Sequence, residues 1–189
     1  MKKFIYLIFL VLILVGCGTP SNYYRLYPTI PSKEGSFNLS KRVIGVAEVK
    51  LADYIDKPQI VTKASLTSVK IHEKENWAGD FAKNIQIVLT QNLNALVKRY
   101  TFVALPSEEA ISDRYRIFVT IYRFDSTAEA VKLQGKWSLL NLDSNKIIKV
   151  RGFNYSLWLE DNSTKAVTQT ESLLLEKLSK DIAFFIKKI

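Results

Sequence analysis

The chain opens on Lys2-Lys3, then an unbroken apolar run from Phe4 to Val15, closed by Gly16 and Cys17. Twelve residues at 1.5 Å each reach about 18 Å as a helix, short of the ~30 Å hydrocarbon core of a bilayer. A basic start and a short apolar run fit a secretory signal peptide instead. This constrains everything that follows. Such a segment is expected to drop out of the folded protein, and the remainder to fold outside the cytoplasm. Cys17 is the only cysteine, so no intramolecular disulfide framework holds it together. The hydrophobic core has to do so.

Leu14-Val15-Gly16-Cys17 resembles a lipobox, the cleavage signal of bacterial lipoproteins, with the one Cys in the modified slot. The resemblance implies a diacylglycerol on the sulfur, cleavage before Cys17, and acylation of the new amine. Stable anchoring takes about two acyl chains, at ~0.8 kcal/mol per buried methylene, so a triacylated Cys17 would stay in its membrane. Gly18 follows the Cys. In the better-known sorting systems an Asp there retains a lipoprotein in the inner membrane, so the expected location is the periplasmic face of the outer membrane.

Charge then reads differently. The full chain has 27 Lys+Arg against 18 Asp+Glu, a formal +9. Loss of Lys2 and Lys3 leaves 25 against 18, or +7. The basic residues are dispersed, among them Lys41-Arg42, Lys98-Arg99, Arg114, Arg116, Arg123, Lys146, Lys149, Arg151 and Lys187-Lys188. In a periplasmic protein the expected counterparts are anionic headgroups or an acidic protein, and nucleic acid is excluded by compartment. One Cys and one His exclude thiolate-rich and paired-His metal sites. No G-x-G-x-x-G or G-x-x-x-x-G-K occurs, so no nucleotide motif is present. No cofactor is expected beyond the N-acyl and S-diacylglycerol groups on Cys17.

The expected layout is a signal peptide over 1–16, a lipidated tether over 17–22 and one domain over 23–189. Strands are expected at 23–27, 43–49, 59–62 and 66–71. Trp77, Phe81, Ile85, Val88, Leu89, Leu93, Leu96 and Val97 recur at helical steps. They predict a helix from Asn76 to Lys98, with Asn76 as N-cap and Trp77 in the core. A strand over 100–105 and a short capped helix over 106–110 follow. Period-two alternation over 115–122 and 131–139, with a return through 147–159, predicts half-buried antiparallel strands. A second helix is expected over 164–188. The fold class is therefore α/β: a single layered domain, a mixed sheet with two long amphipathic helices packed on it.

The chain resembles the ABC-type transport auxiliary lipoproteins, the PqiC-like family of intermembrane lipid transport. The residues that carry the likeness are the lipobox, Tyr23-Tyr24-Arg25-Leu26, and above all Ile44-Gly45-Val46 running into Leu51-Ala52-Asp53-Tyr54-Ile55-Asp56-Lys57-Pro58-Gln59-Ile60-Val61-Thr62. Trp77-Ala78, Asn92-Leu93 and Leu178–Ala183 match later blocks, while Gly79-Asp80 departs from the pattern where the helix opens. The resemblance implies a non-enzymatic accessory lipoprotein beside an MCE-type lipid carrier, docking that assembly at the outer membrane or receiving its cargo. An MCE-domain protein, a phospholipid and other copies of the chain are the implied partners.

Tyr54, Asp56, Lys57, Pro58 and Gln59 are the candidate docking residues, since Tyr beside Asp and Lys suits a polar-rimmed interface. They equally suit a turn fixed by Pro58. His72 among acids could act as a general base, but no nucleophile motif accompanies it, and a surface or strand-end role is expected. Asp53 and Asp56 beside a proline are expected to shape turns and not to hold metal. A competing expectation is a regulatory lipoprotein that activates a cell-wall synthase by contact.

Overall fold

Alternation builds the larger sheet. The computed structural model describes residues 20–31, 42–109 and 113–189. In it β7 (Asp113–Ser126), β8 (Ala130–Asn141) and β9 (Lys146–Trp158) form an antiparallel meander. Ile117, Val119 and Ile121 of β7 and Leu133, Trp137 and Leu139 of β8 all point inward and are fully buried. Gln134 and Lys136 between them face outward. Two shorter strands read as continuous apolar runs, β2 (Arg42–Val46) and β6 (Tyr100–Ala104). Apart from exposed Arg42 and half-buried Ala104 they are buried, and they pair in parallel, as strands covered on both faces do. The order is β6-β2-β7-β8-β9, and β3 (Lys50–Leu51) continues the line of β2 along the same edge of β7.

A second sheet has the order β1-β5-β4, from β1 (Asn22–Tyr24), β4 (Gln59–Lys63) and β5 (Val69–Trp77). β1 runs parallel to β5, and β4 antiparallel to it. The helices are α1 (Phe81–Leu96), inside the crossover from β2 to β6, and α2 (Thr164–Ile186). Ile85, Leu89 and Leu93 of α1 and Leu174, Leu175, Leu178 and Ile182 of α2 are completely buried. Each such side chain contributes ~1.5–3 kcal/mol by leaving water. The α/β class, the single domain and the two helices packed on a mixed sheet are as the sequence suggests. The split into two sheets is an addition.

The start of α1 corrects the sequence reading. Asn76 is not a cap; it lies in β5 between Gln59 and Tyr23. Trp77 gives its N–H to Pro58 O at 2.8 Å and Ala78 to Tyr24 O at 2.7 Å. These backbones are committed to the sheet. Gly79 then adopts φ +130°, a conformation that suits glycine and cannot continue a helix. Asp80 is the N-cap, its carboxylate accepting the Lys83 N–H at 2.7 Å. Trp77 is buried as expected, but from a strand end.

The strand expected at 66–71 begins later, at Val69. Ala64 and Ser65 give their N–H groups to Ser68 O, and the two serine hydroxyls are 2.7 Å apart. This turn leaves Leu66 at a hairpin tip, 91% exposed. The charged stretch 72–75 forms the middle of β5, which runs on to Trp77. α1 and α2 each end two residues earlier than expected. Of the short helix expected over 106–110, Ala110 lies outside the described residues.

Candidate functional site

The segment between β3 and β4 is tied down at both ends. Ala52 N–H donates to Ile121 O on β7 at 3.1 Å, and Pro58 O accepts from Trp77 on β5. Between them the chain makes a tight turn: Ile55 and Asp56 both donate to Ala52 O, and Lys57 to Ile55 O. Ile55 plugs the core at 2% exposure.

Tyr54 is half-buried. Its hydroxyl donates to Asp125 Oδ2 at 3.1 Å, while the other oxygen of Asp125 receives Arg123 Nε at 2.9 Å. Burial first, and the Asp125 charge second, push the Tyr54 hydroxyl up to about 12. It is a hydrogen-bond donor at any physiological pH. Beneath the turn, Trp77 stacks on Phe81 (centroids 4.1 Å apart, planes at 13°), and Phe81 on Phe124 at 5.9 Å.

The five candidate docking residues therefore divide. Tyr54 and Gln59 are splints, the first through Asp125 and the second through the ladder to Asn76. Asp56, Lys57 and Pro58 form an exposed crest held rigidly by them. The segment is built as a turn, and that turn leaves Asp56, Lys57 and Pro58 open to solvent. Cys17, the lipobox and the signal peptide lie outside the described residues.

His72 lies on β5, with Nε2 2.9 Å from Thr62 Oγ1. Burial and the neighbouring Lys70 hold its ring below the ordinary histidine range, so it is neutral at pH 7. No cluster of three or more His, Cys, Asp or Glu that could hold a metal occurs among the described residues. Of the two tryptophans whose faces the sequence left open, Trp137 is fully buried and donates Nε1–H to Asp181 Oδ2 at 3.2 Å, whereas Trp158 is 76% exposed.

One feature escaped sequence reasoning. Glu171 on α2 is 2% exposed, and its Oε2 meets no hydrogen-bond partner among the described residues. Burial, with Asp125 as the second cause, raises its carboxyl well above the usual range. The signal was present in the spacing: Val167, Glu171, Leu174 and Leu178 share one helical stripe.

Comparison with known proteins supplies the family. The family model of the ABC-type transport auxiliary lipoprotein component matches residues 24–183. Among solved structures, a crystal structure of an uncharacterized protein superposes with a TM-score of 0.75 at 21% identity, covering 89% of this chain and 99% of that one. A Xanthomonas campestris protein superposes with a TM-score of 0.71 at 14% identity, covering 86% and 93%. No curated protein matches the chain in sequence. At these identities the structural likeness speaks for the fold.

Proposed function

The chain belongs to the ABC-type transport auxiliary lipoprotein family, and we propose from that premise that it is the outer-membrane accessory of an MCE-type lipid transport system. In this reading Cys17 carries the acyl groups and holds the domain on the periplasmic face. The domain works by contact and not by catalysis, docking the MCE-domain protein through the crest Asp56-Lys57-Pro58.

The observation that supports the reading best is the division of labour in that segment. The three crest residues gain nothing for the core, yet the segment that carries them is fixed by five backbone hydrogen bonds and the Tyr54–Asp125 contact. A preorganised polar projection loses little conformational entropy on binding, which suits recognition. Placing a basic and an acidic group side by side on it favours steering and register over raw affinity.

A photocrosslinking residue at Lys57, introduced in living cells, should capture an MCE-domain protein, and one at buried Ile55 should not. Capture of a cell-wall synthase from Lys57 would overturn the reading. Cys17→Ala should abolish outer-membrane fractionation and function together. Full activity of that variant in the outer-membrane fraction would overturn the anchoring part.

A further inference from the structure

We propose that the β4–β5 hairpin end of the domain contacts anionic phospholipid headgroups, with Leu66 entering the membrane interface and the cavity beside it receiving the phosphate. The inference rests on the anchoring of Cys17 and deepens it.

Direction is the first ground. β1 lies parallel to β5, with Asn22 beside Glu75. Going back from Asn22 toward the N-terminus therefore points along β5 toward Val69 and the hairpin tip. Cys17 precedes Asn22 by five residues, a reach of at most about 18 Å. Lys70 lies five residues from Glu75 along β5, about 17 Å in a strand. An acyl anchor on Cys17 thus has its bilayer within reach of this end of the molecule.

The tip itself is the second. Leu66 is the most exposed large apolar side chain described, at 91%. Its neighbours Ser65, Thr67 and Ser68 carry no charge, so nothing opposes its entry among headgroups. Lys63 and Lys70 stand just behind the turn, closing β4 and near the opening of β5. An apolar tip ahead of a cationic collar is the arrangement by which peripheral segments bind anionic bilayers.

The cavity is the third. It has a volume of about 290 Å³, between the hairpin, the β7–β8 turn and the β9–α2 connection. Lys63, Lys70 and His72 line it together with the hydroxyls of Thr62, Thr127 and Thr164, and no carboxylate does. Glu75, which also acts on His72, is engaged by Asn22 Nδ2 at 2.9 Å. Lys70, paired with Thr62, brings one ammonium group to the face that carries His72 and the hydroxyls, while Lys63, paired with Val69, sends its side chain to the other face of the hairpin. One ammonium with hydroxyl donors beside it suits a phosphate group.

The only Cys is acylated in this reading, so Leu66→Cys supplies a single free thiol for an environment-sensitive fluorophore. Ser144→Cys, in the β8–β9 turn at the opposite end of β8, supplies the control. Both lipidated proteins are placed in phosphatidylcholine vesicles with and without phosphatidylglycerol.

The label at 66 should shift to the blue and brighten with phosphatidylglycerol, and the label at 144 should not. Adding Lys63→Gln and Lys70→Gln should lower the docked-to-undocked ratio roughly thirty-fold, about fivefold for each lysine. A 66 label that stays water-like on an acylated protein overturns the headgroup contact alone. Missing acyl mass on Cys17 in the same sample overturns the anchoring reading. Reversal of the signal by inorganic phosphate at concentrations matching the lipid would make the cavity a site for free phosphate, and would overturn the proposal.

Discussion

Glu171 illustrates how one residue can be plain in the sequence and still be missed. It falls on the same stripe as Val167, Leu174 and Leu178. A carboxylate there reads as a stripe edge, because burying one unpaired is costly. The helix buries it nonetheless, next to Asp125, and the carboxyl answers by holding its proton. The sign of the pH effect follows. The folded protein keeps a proton that the unfolded chain releases above its ordinary value of 4.5. Stability from this group is complete below that pH and is lost as pH rises toward the raised folded value, at up to about 1.4 kcal/mol per pH unit. Glu171→Gln removes the titration at nearly constant shape. Urea denaturation of the two proteins should give matching free energies near pH 4 and a growing advantage for Gln from pH 5 to 7. Parallel curves would refute the assignment. Tyr54 shows the converse: the sequence singled out the residue, but its partner Asp125, 71 positions away, was not readable.

At the scale of elements, the sequence was most legible where one period ran unbroken. β8, β9 and α2 carry long alternating or helical patterns and form within two residues of their expected bounds, while β7 alternates as expected and runs two residues further at its start and four at its end. It was least legible where two patterns abut. Trp77 continues the helical spacing of α1, yet its backbone is held by Tyr24 and Pro58, contacts between segments far apart in sequence. Such pairing overrides local propensity. Gly135 is a further case, since an isolated glycine in an alternating strand says only that something comes close. What comes close is β7, where the pairing slips between Ile121 and Arg123. A Cβ at 135 would stand 2.1 Å from Thr120 O and 2.8 Å from the Phe153 ring. The carbonyl belongs to the central ladder and cannot retreat without breaking it. Gly135→Ala should therefore destabilise by about 3 kcal/mol or more, at the upper end for overpacking. A thermal denaturation midpoint within a degree of the parent would show that the ladder has more freedom than these distances allow.

For the whole molecule, the question is whether the anchor and the fold depend on one another. The buried cluster runs from Leu26 to Ile186 and draws on both helices and both sheets. Every apolar side chain in it is covered by another part of the same described body, so no acyl chain is required to complete it. The N-terminal end enters the sheet through β1, whose three residues pair with Glu75, Asn76 and Trp77 at the margin of the smaller sheet. A load on the tether is thus passed to β5 before it reaches the core. Folding and anchoring are then separable, and a chain beginning at Gly18 tests this. Its unfolding free energy from urea denaturation in detergent-free buffer should lie within about 0.5 kcal/mol of that of the lipidated protein, the range expected for changes that touch no packed or paired group. Its partition should move entirely from membrane to solution, since the acyl chains supply the attachment. A marked loss of stability without the lipid would mean instead that part of the domain folds against the bilayer. The β1–β5 pairing would be the first place to look, by hydrogen exchange at Tyr24 and Trp77.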